Sequence, residues 1–164
     1  MAGFNRVAYA AVAFCGEPPE GWAALAYEKG NWAAISSGTA KALTEELRTA
    51  IQKGTADNVW LSFEPWGEDC ALNADFENGW AALLYSSASE CAASLYRPDR
   101  PDGAEDAPVN IGGQTPVPKM CALEDMGQAA EAVCYFLENG RFHPDMQWAV
   151  LVGSDLPWTE AQKP

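Results

Sequence analysis

Apolar residues recur along this chain with two different spacings, and the spacing separates expected helices from expected strands. Between Ala40 and Lys53, Leu43, Leu47, Ala50 and Ile51 fall at i, i+4, i+7 and i+8, one face of a 3.6-residue repeat. Thr39 stands where an N-cap belongs and Gly54 where a helix stops. Leu123 to Asn139 shows the pattern more clearly, with Met126, Ala129, Ala130, Val133, Phe136 and Leu137 in a single stripe. Glu124 and Asp125 suit the positive end of its dipole, and Gly140 ends it.

The other apolar runs are short and rich in strand formers. Arg6 to Phe14, Trp22 to Tyr27, Trp32 to Ile35, Asn58 to Phe63, Trp80 to Tyr85, Cys91 to Tyr96 and Trp148 to Val152 are expected strands, with Val109 to Ile111 a shorter one. Glu28-Lys29-Gly30-Asn31 is expected to turn the second strand into the third. Pro65 to Glu77 is acid-rich and reads as a loop or irregular hairpin; Arg97 to Pro108, broken by Pro98, Pro101 and Pro108, reads as an exposed loop. Strands and helices do not alternate strictly. This order predicts an α+β fold, a mostly antiparallel sheet with two main helices packed on one face. Residues 1–152 are expected to form a single α+β domain, with residues 153–164 as a C-terminal tail. Gly21–Tyr27 and Gly79–Tyr85 echo one another, but their flanks differ and no duplication is read from them.

Composition narrows the function. The 164 residues are 48% hydrophobic and include seven Trp, enough for a core without a disulfide or metal staple. A net charge of −13 sets the chain against nucleic acid and anionic membrane surfaces, and suits a basic protein partner. Five Cys, with no C-x-x-C pair and one His, give no zinc-site spacing and fit reduced thiols in a cytoplasmic protein. The apolar run from Val7 to Cys15 is short and Ala-rich, and reads as a strand rather than a signal; a lipid-anchored Cys15 is the alternative. There is no G-x-S-x-G, P-loop or G-x-G-x-x-G motif. His143 is the single candidate base for a Cys–His pair, and nothing singles out its Cys. Neither a catalytic residue, a metal site nor a cofactor is expected.

The aromatic residues divide. Trp22, Trp60, Trp80 and Trp148 lie in strand patterns and read as core, whereas Trp66 sits in an acidic loop and Trp158 in the tail. Exposed Trp flanked by acid is the composition of a protein-binding hot spot. The candidate partner-binding residues are therefore Glu64, Trp66, Glu68, Asp69, Asp75 and Glu77 in one loop, and Asp99, Asp102, Glu105 and Asp106 in the other.

A longer pattern runs through the second half. Gly-Trp-Ala-Ala-Leu-Leu-Tyr (79–85) is followed by Ala-Ser-Leu-Tyr-Arg-Pro (93–98), a Gly-containing segment from Val109 to Gln114, and Val-Pro (117–118). Then come a helix ending Tyr-Phe-Leu-Glu-Asn-Gly (135–140), Pro144 and Trp148. Over roughly residues 36–150 this resembles a family of immunity proteins from bacterial polymorphic toxin systems, often paired with nucleic-acid deaminase toxins. The resemblance implies a stoichiometric inhibitor without catalysis. Its partner would be a cognate toxin domain, a basic deaminase or nuclease, bound in the cytoplasm so that its active site or nucleic-acid-binding surface is blocked. An acidic binding module with a non-toxin partner is the alternative, and a small enzyme using His143 a further one.

Overall fold

Leu72, Ala74 and Phe76 alternate with Asn73, Asp75 and Glu77, and in the computed structural model this stretch is a strand in the interior of the sheet. The expectation of a loop from Pro65 to Glu77 is thereby corrected over residues 71–77. Acidic side chains obscured a plain two-residue alternation, and Asn78-Gly79 is the hairpin turn that follows. Both turn residues have positive φ, 53° and 77°, as a type I′ turn requires.

The structure describes Val7 and residues 9–16, 23–24, 31–34, 40–62, 71–86, 92–151 and 159–160. Its strands are β1 (Tyr9–Phe14), β2 (Ala23–Ala24), β3 (Asn31–Ala34), β4 (Ala56–Ser62), β5 (Ala71–Glu77), β6 (Trp80–Ser86), β7 (Ala92–Leu95), β8 (Asp106–Ile111), β9 (Thr115–Pro118), β10 (Ala122–Leu123), β11 (Trp148–Leu151) and β12 (Thr159–Glu160). The helices are α1 (Ala40–Lys53) and α2 (Met126–Asn139). The main sheet runs β12-β11-β7-β6-β5-β4-β1-β3-β2, with β10 beside β6, and β8 pairs with β9 as a separate hairpin. Every described pairing is antiparallel. The fold is α+β, as the element order implied. Thr159 and Glu160, inside the segment expected as a tail, pair with β11.

α1 has the bounds its periodicity predicts, and Gly54 follows it at φ 75°. α2 starts later than expected. Leu123 belongs to β10, and Asp125 is the N-cap, its carboxylate accepting from the backbone N–H of Gly127 and Gln128. Gly140 caps the far end in the left-handed conformation.

The two helices pack on each other and on one face of the sheet. Leu47 and Ile51 of α1 and Val133, Phe136 and Leu137 of α2 meet Val12, Val59, Leu61, Leu72 and Leu83 from the strands. Each such side chain contributes about 1.5–3 kcal/mol on removal from water. Tyr85, Phe142 and Trp148 complete this layer, with Phe142 stacked on Trp148 at 4.1 Å and Tyr85 edge-on to Phe142 at 5.4 Å.

Among the described residues, the opposite face has a cover over one part only. The β8–β9 hairpin folds across it and buries Val109 and Val117 with Ala82, Ala122 and Cys121, while Trp80, Tyr96, Ile111 and Met120 pack at the margin. Ion pairs pin the base of this hairpin. Arg100 joins Asp102 and Glu124, and Lys119 joins Asp102 and Glu105. Beyond the hairpin tip, the same face of β4, β5 and β6 carries the site.

Candidate functional site

Strand alternation decides which side chains share this open face. Directly opposed residues across an antiparallel pair point the same way, and β4–β5–β6 pairs Asn58 with Asp75, Trp60 with Asn73, Asp75 with Ala82 and Asn73 with Leu84. Asn58, Trp60, Asn73 and Asp75 thus stand together, away from the helices. Small residues lower the floor around them: Ala71 and Ser86 pair on β5 and β6, and Ala11 faces Trp60 from β1. The result is a depression of about 460 Å³ lined by Asn58, Trp60, Ala71, Asn73, Asp75, Ser86 and Gly112.

Trp60 was expected in the core. It is half-buried on the uncovered face, because its neighbours in sequence, Val59 and Leu61, take the helix-facing positions. Trp80 is likewise half-buried, under the hairpin; Trp148 is in the core as expected. Trp22, Trp66 and Trp158 lie outside the described residues.

Asp75 is held by neutral donors. Asn58 Nδ2 donates to its Oδ1 at 2.8 Å, and the backbone N–H of Gly112, at the hairpin tip, donates to Oδ2 at 3.2 Å. Asn73 Nδ2 lies 3.4 Å from Oδ2, and Asn58 Nδ2 also reaches Asn73 Oδ1 at 2.8 Å. Burial pushes the Asp75 carboxyl above its ordinary value, the bonds from Asn58 and Gly112 pull it back, and Glu77 pushes it up again. Among the described residues, no cation pairs with it. Glu77, exposed two residues on, accepts from Asn110 Nδ2 at 3.4 Å.

The candidate acids fall into three groups. Asp75 and Glu77 share one face of β5, Asp75 lining the depression and Glu77 lying opposite Trp80 beside the hairpin. Asp99, Asp102, Glu105 and Asp106 lie at the base of the hairpin, where the charges of Asp102 and Glu105 are engaged internally and Asp99 and Asp106 are exposed. Arg100 and then Lys119 hold the Asp102 carboxyl down, at about 2. Glu64, Trp66, Glu68 and Asp69 lie outside the described residues. Asn58, Asn73 and Ser86 were not singled out by sequence. The alternation of β5 could have found Asn73 with Asp75, but their convergence with Asn58 is a matter of register.

Three described thiols and His143 are held by local contacts. Burial pushes the thiols of Cys121 and Cys134 up to about 12, and Cys15, donating to Asp57 Oδ1 at 2.9 Å, is raised by that bond. An activated thiol would be shifted the other way. His143 Nδ1 accepts from the backbone N–H of Asp145 at 3.1 Å while its ring rests on Tyr135. Among the described residues no group of three or more His, Cys, Asp or Glu converges to hold a metal, and no helix is long and apolar enough to cross a membrane. A broader depression of about 670 Å³ runs past Arg97 and Arg100, but Arg97 donates to the carbonyl of Ala122 and Arg100 is ion-paired.

No protein-family model, curated protein or solved structure matches this chain.

Proposed function

We propose that the protein is an immunity protein: it binds a basic, nucleic-acid-acting toxin domain in the cytoplasm and blocks the surface that grips nucleic acid. The single observation that carries this reading is the open sheet face, where a half-buried Trp60 stands beside Asp75 with no pairing cation among the described residues. A rigid aromatic platform next to desolvated acid is suited to a protein partner of opposite charge. The net charge of −13 adds attraction at long range and speeds encounter with such a partner. Deaminase and nuclease domains carry basic surfaces for phosphate, so an acidic face competes for the same groups. The family resemblance over residues 36–150 supplies the toxin context and agrees with this charge argument.

The contact surface in this reading is centred on Trp60 and Asp75 and extends along β5 to Glu77; Asp99 and Asp106 are exposed at the hairpin base, away from it. Asp102 and Glu105 hold the hairpin in place instead. The test is a growth rescue. The C-terminal domain of the open reading frame adjacent to this one is expressed in a sensitive host with and without this protein, and the two are co-purified. Rescue together with a stable complex is expected. A neighbour that is harmless, or that kills equally in the presence of this protein and does not co-purify, overturns the toxin pairing in favour of a different protein partner.

A further inference from the structure

We infer that the depression beside the hairpin tip seats an arginine side chain of the partner, its guanidinium stacked on Trp60 and paired with Asp75. This rests on the protein-binding reading above and names the group that the site takes.

The spacing fits. Trp60 faces Asn73 across the β4–β5 ladder, and Asp75 is the next residue along on the same face. Diagonal neighbours of this kind are about 7 Å apart. A guanidinium within about 6 Å of an indole centroid can therefore reach the carboxylate with its edge while its plane lies on the ring. Asn73 and Ser86 line the same hollow and offer side-chain oxygens to the remaining N–H groups. The electrostatics select a cation. Asp75 is partly desolvated and, among the described residues, is answered by neutral amides, so an incoming positive charge relieves a cost already present in the free protein.

The chain builds one such arrangement for itself. On the same face of β6, Arg100 lies over Trp80 at 5.0 Å from the ring and pairs with Asp102 and Glu124. Trp80 and its arginine sit at the covered end of this face. Trp60 and Asp75 repeat the aromatic and the carboxylate at the open end, without an arginine among the described residues. Arginine fits better than lysine because a planar fork stacks and pairs at once, whereas an ammonium is a compact, strongly hydrated point charge.

The inference is tested on the full chain, without any toxin, by amide and indole NMR during titration with the capped tripeptide Gly-Arg-Gly. The controls are Gly-Lys-Gly and Gly-citrulline-Gly, the latter retaining the shape without the charge. The arginine peptide is expected to shift the Trp60 indole N–H and the Gly112 amide with saturation at low salt. The citrulline peptide should bind at least about tenfold more weakly, and Asp75→Asn should weaken the arginine peptide by a similar factor. Equal shifts from arginine and citrulline, or shifts confined to residues outside the depression, overturn the site. The citrulline comparison uses the unaltered protein, so it decides the matter even if Asp75→Asn disturbs the fold. Loss of the peptide response with growth rescue intact removes the arginine site and leaves the immunity reading standing. A specific peptide response with no rescue does the reverse.

Discussion

Asp75 and Asp102 are both carboxylates with several donors, and they occupy opposite electrostatic settings. Asp102 is exposed enough to stay hydrated and faces two cations; Asp75 is half-buried and faces amides. Their linkage to stability therefore has opposite sign. Asp102 sits at about 2 in the folded protein, below the unfolded value of about 4. Its contribution is fully present above about pH 4 and is lost as pH falls toward 2. Asp75 is raised, so its ionisation opposes folding as pH climbs through its folded value. Carboxyl-carbon NMR titration is expected to place Asp75 above and Asp102 below the ordinary range. Asp102→Asn should flatten the acid limb of the stability curve. An Asp75 value at or below the ordinary one would remove the argument that a cation is wanted there.

At the scale of elements, local chemistry accounts for the well-defined pieces and supplies two direct tests. A Cβ at Gly79 would meet open space, so Gly79→Ala isolates the cost of holding a left-handed turn residue. A loss of about 1–2 kcal/mol in urea unfolding is expected; no loss would mean the β5–β6 turn can change type. Asp125→Ala removes the two bonds at the start of α2 and should cost about 1 kcal/mol. Leu47→Ala, at a fully buried α1 position in contact with both layers, should cost about 3 kcal/mol.

Both helices were legible because amphipathic periodicity and end signals agree within single segments. β5 was legible in principle, through the Leu72-Ala74-Phe76 alternation and Asn78-Gly79, but its acids read as loop. β9, β10 and β12 have too few residues to show a period; only pairing defines them. Of the residues lining the depression, Asp75 alone is among the candidate partner-binding acids. Asp75 and Glu77 were chosen as loop acids and are strand residues, whereas Trp60 was assigned to the core. How much of the face away from the helices stays open, among the described residues, depends on where the β8–β9 hairpin lands, and no short stretch of sequence encodes that.

At the scale of the molecule, one sheet separates two unlike faces. The helix-covered face supplies cohesion. The other carries a hairpin whose tip donates to Asp75 through Gly112, so the hairpin closes one end of the depression. Arg48, Arg100 and Lys119 are ion-paired with acids of the same chain, and in the proposed reading the excess negative charge of the molecule is what a basic partner meets. Because exposed charge is screened over about 8–10 Å at ordinary ionic strength, association with a basic domain should slow as salt rises. Stopped-flow association rates across a salt series check this, and a flat series would contradict long-range steering.

The most direct test of the binding surface is the affinity of the purified complex for three forms of the protein, measured by isothermal titration against the neighbouring toxin domain. One is unaltered, one carries Asp75→Asn with Glu77→Lys on the open face, and one carries Asp99→Lys with Asp106→Lys at the hairpin base. The account predicts that the open-face pair weakens binding by at least about tenfold, whereas the hairpin-base pair changes it by only a few-fold. Equal affinity for the open-face pair and the unaltered protein would contradict it and place the toxin on another surface.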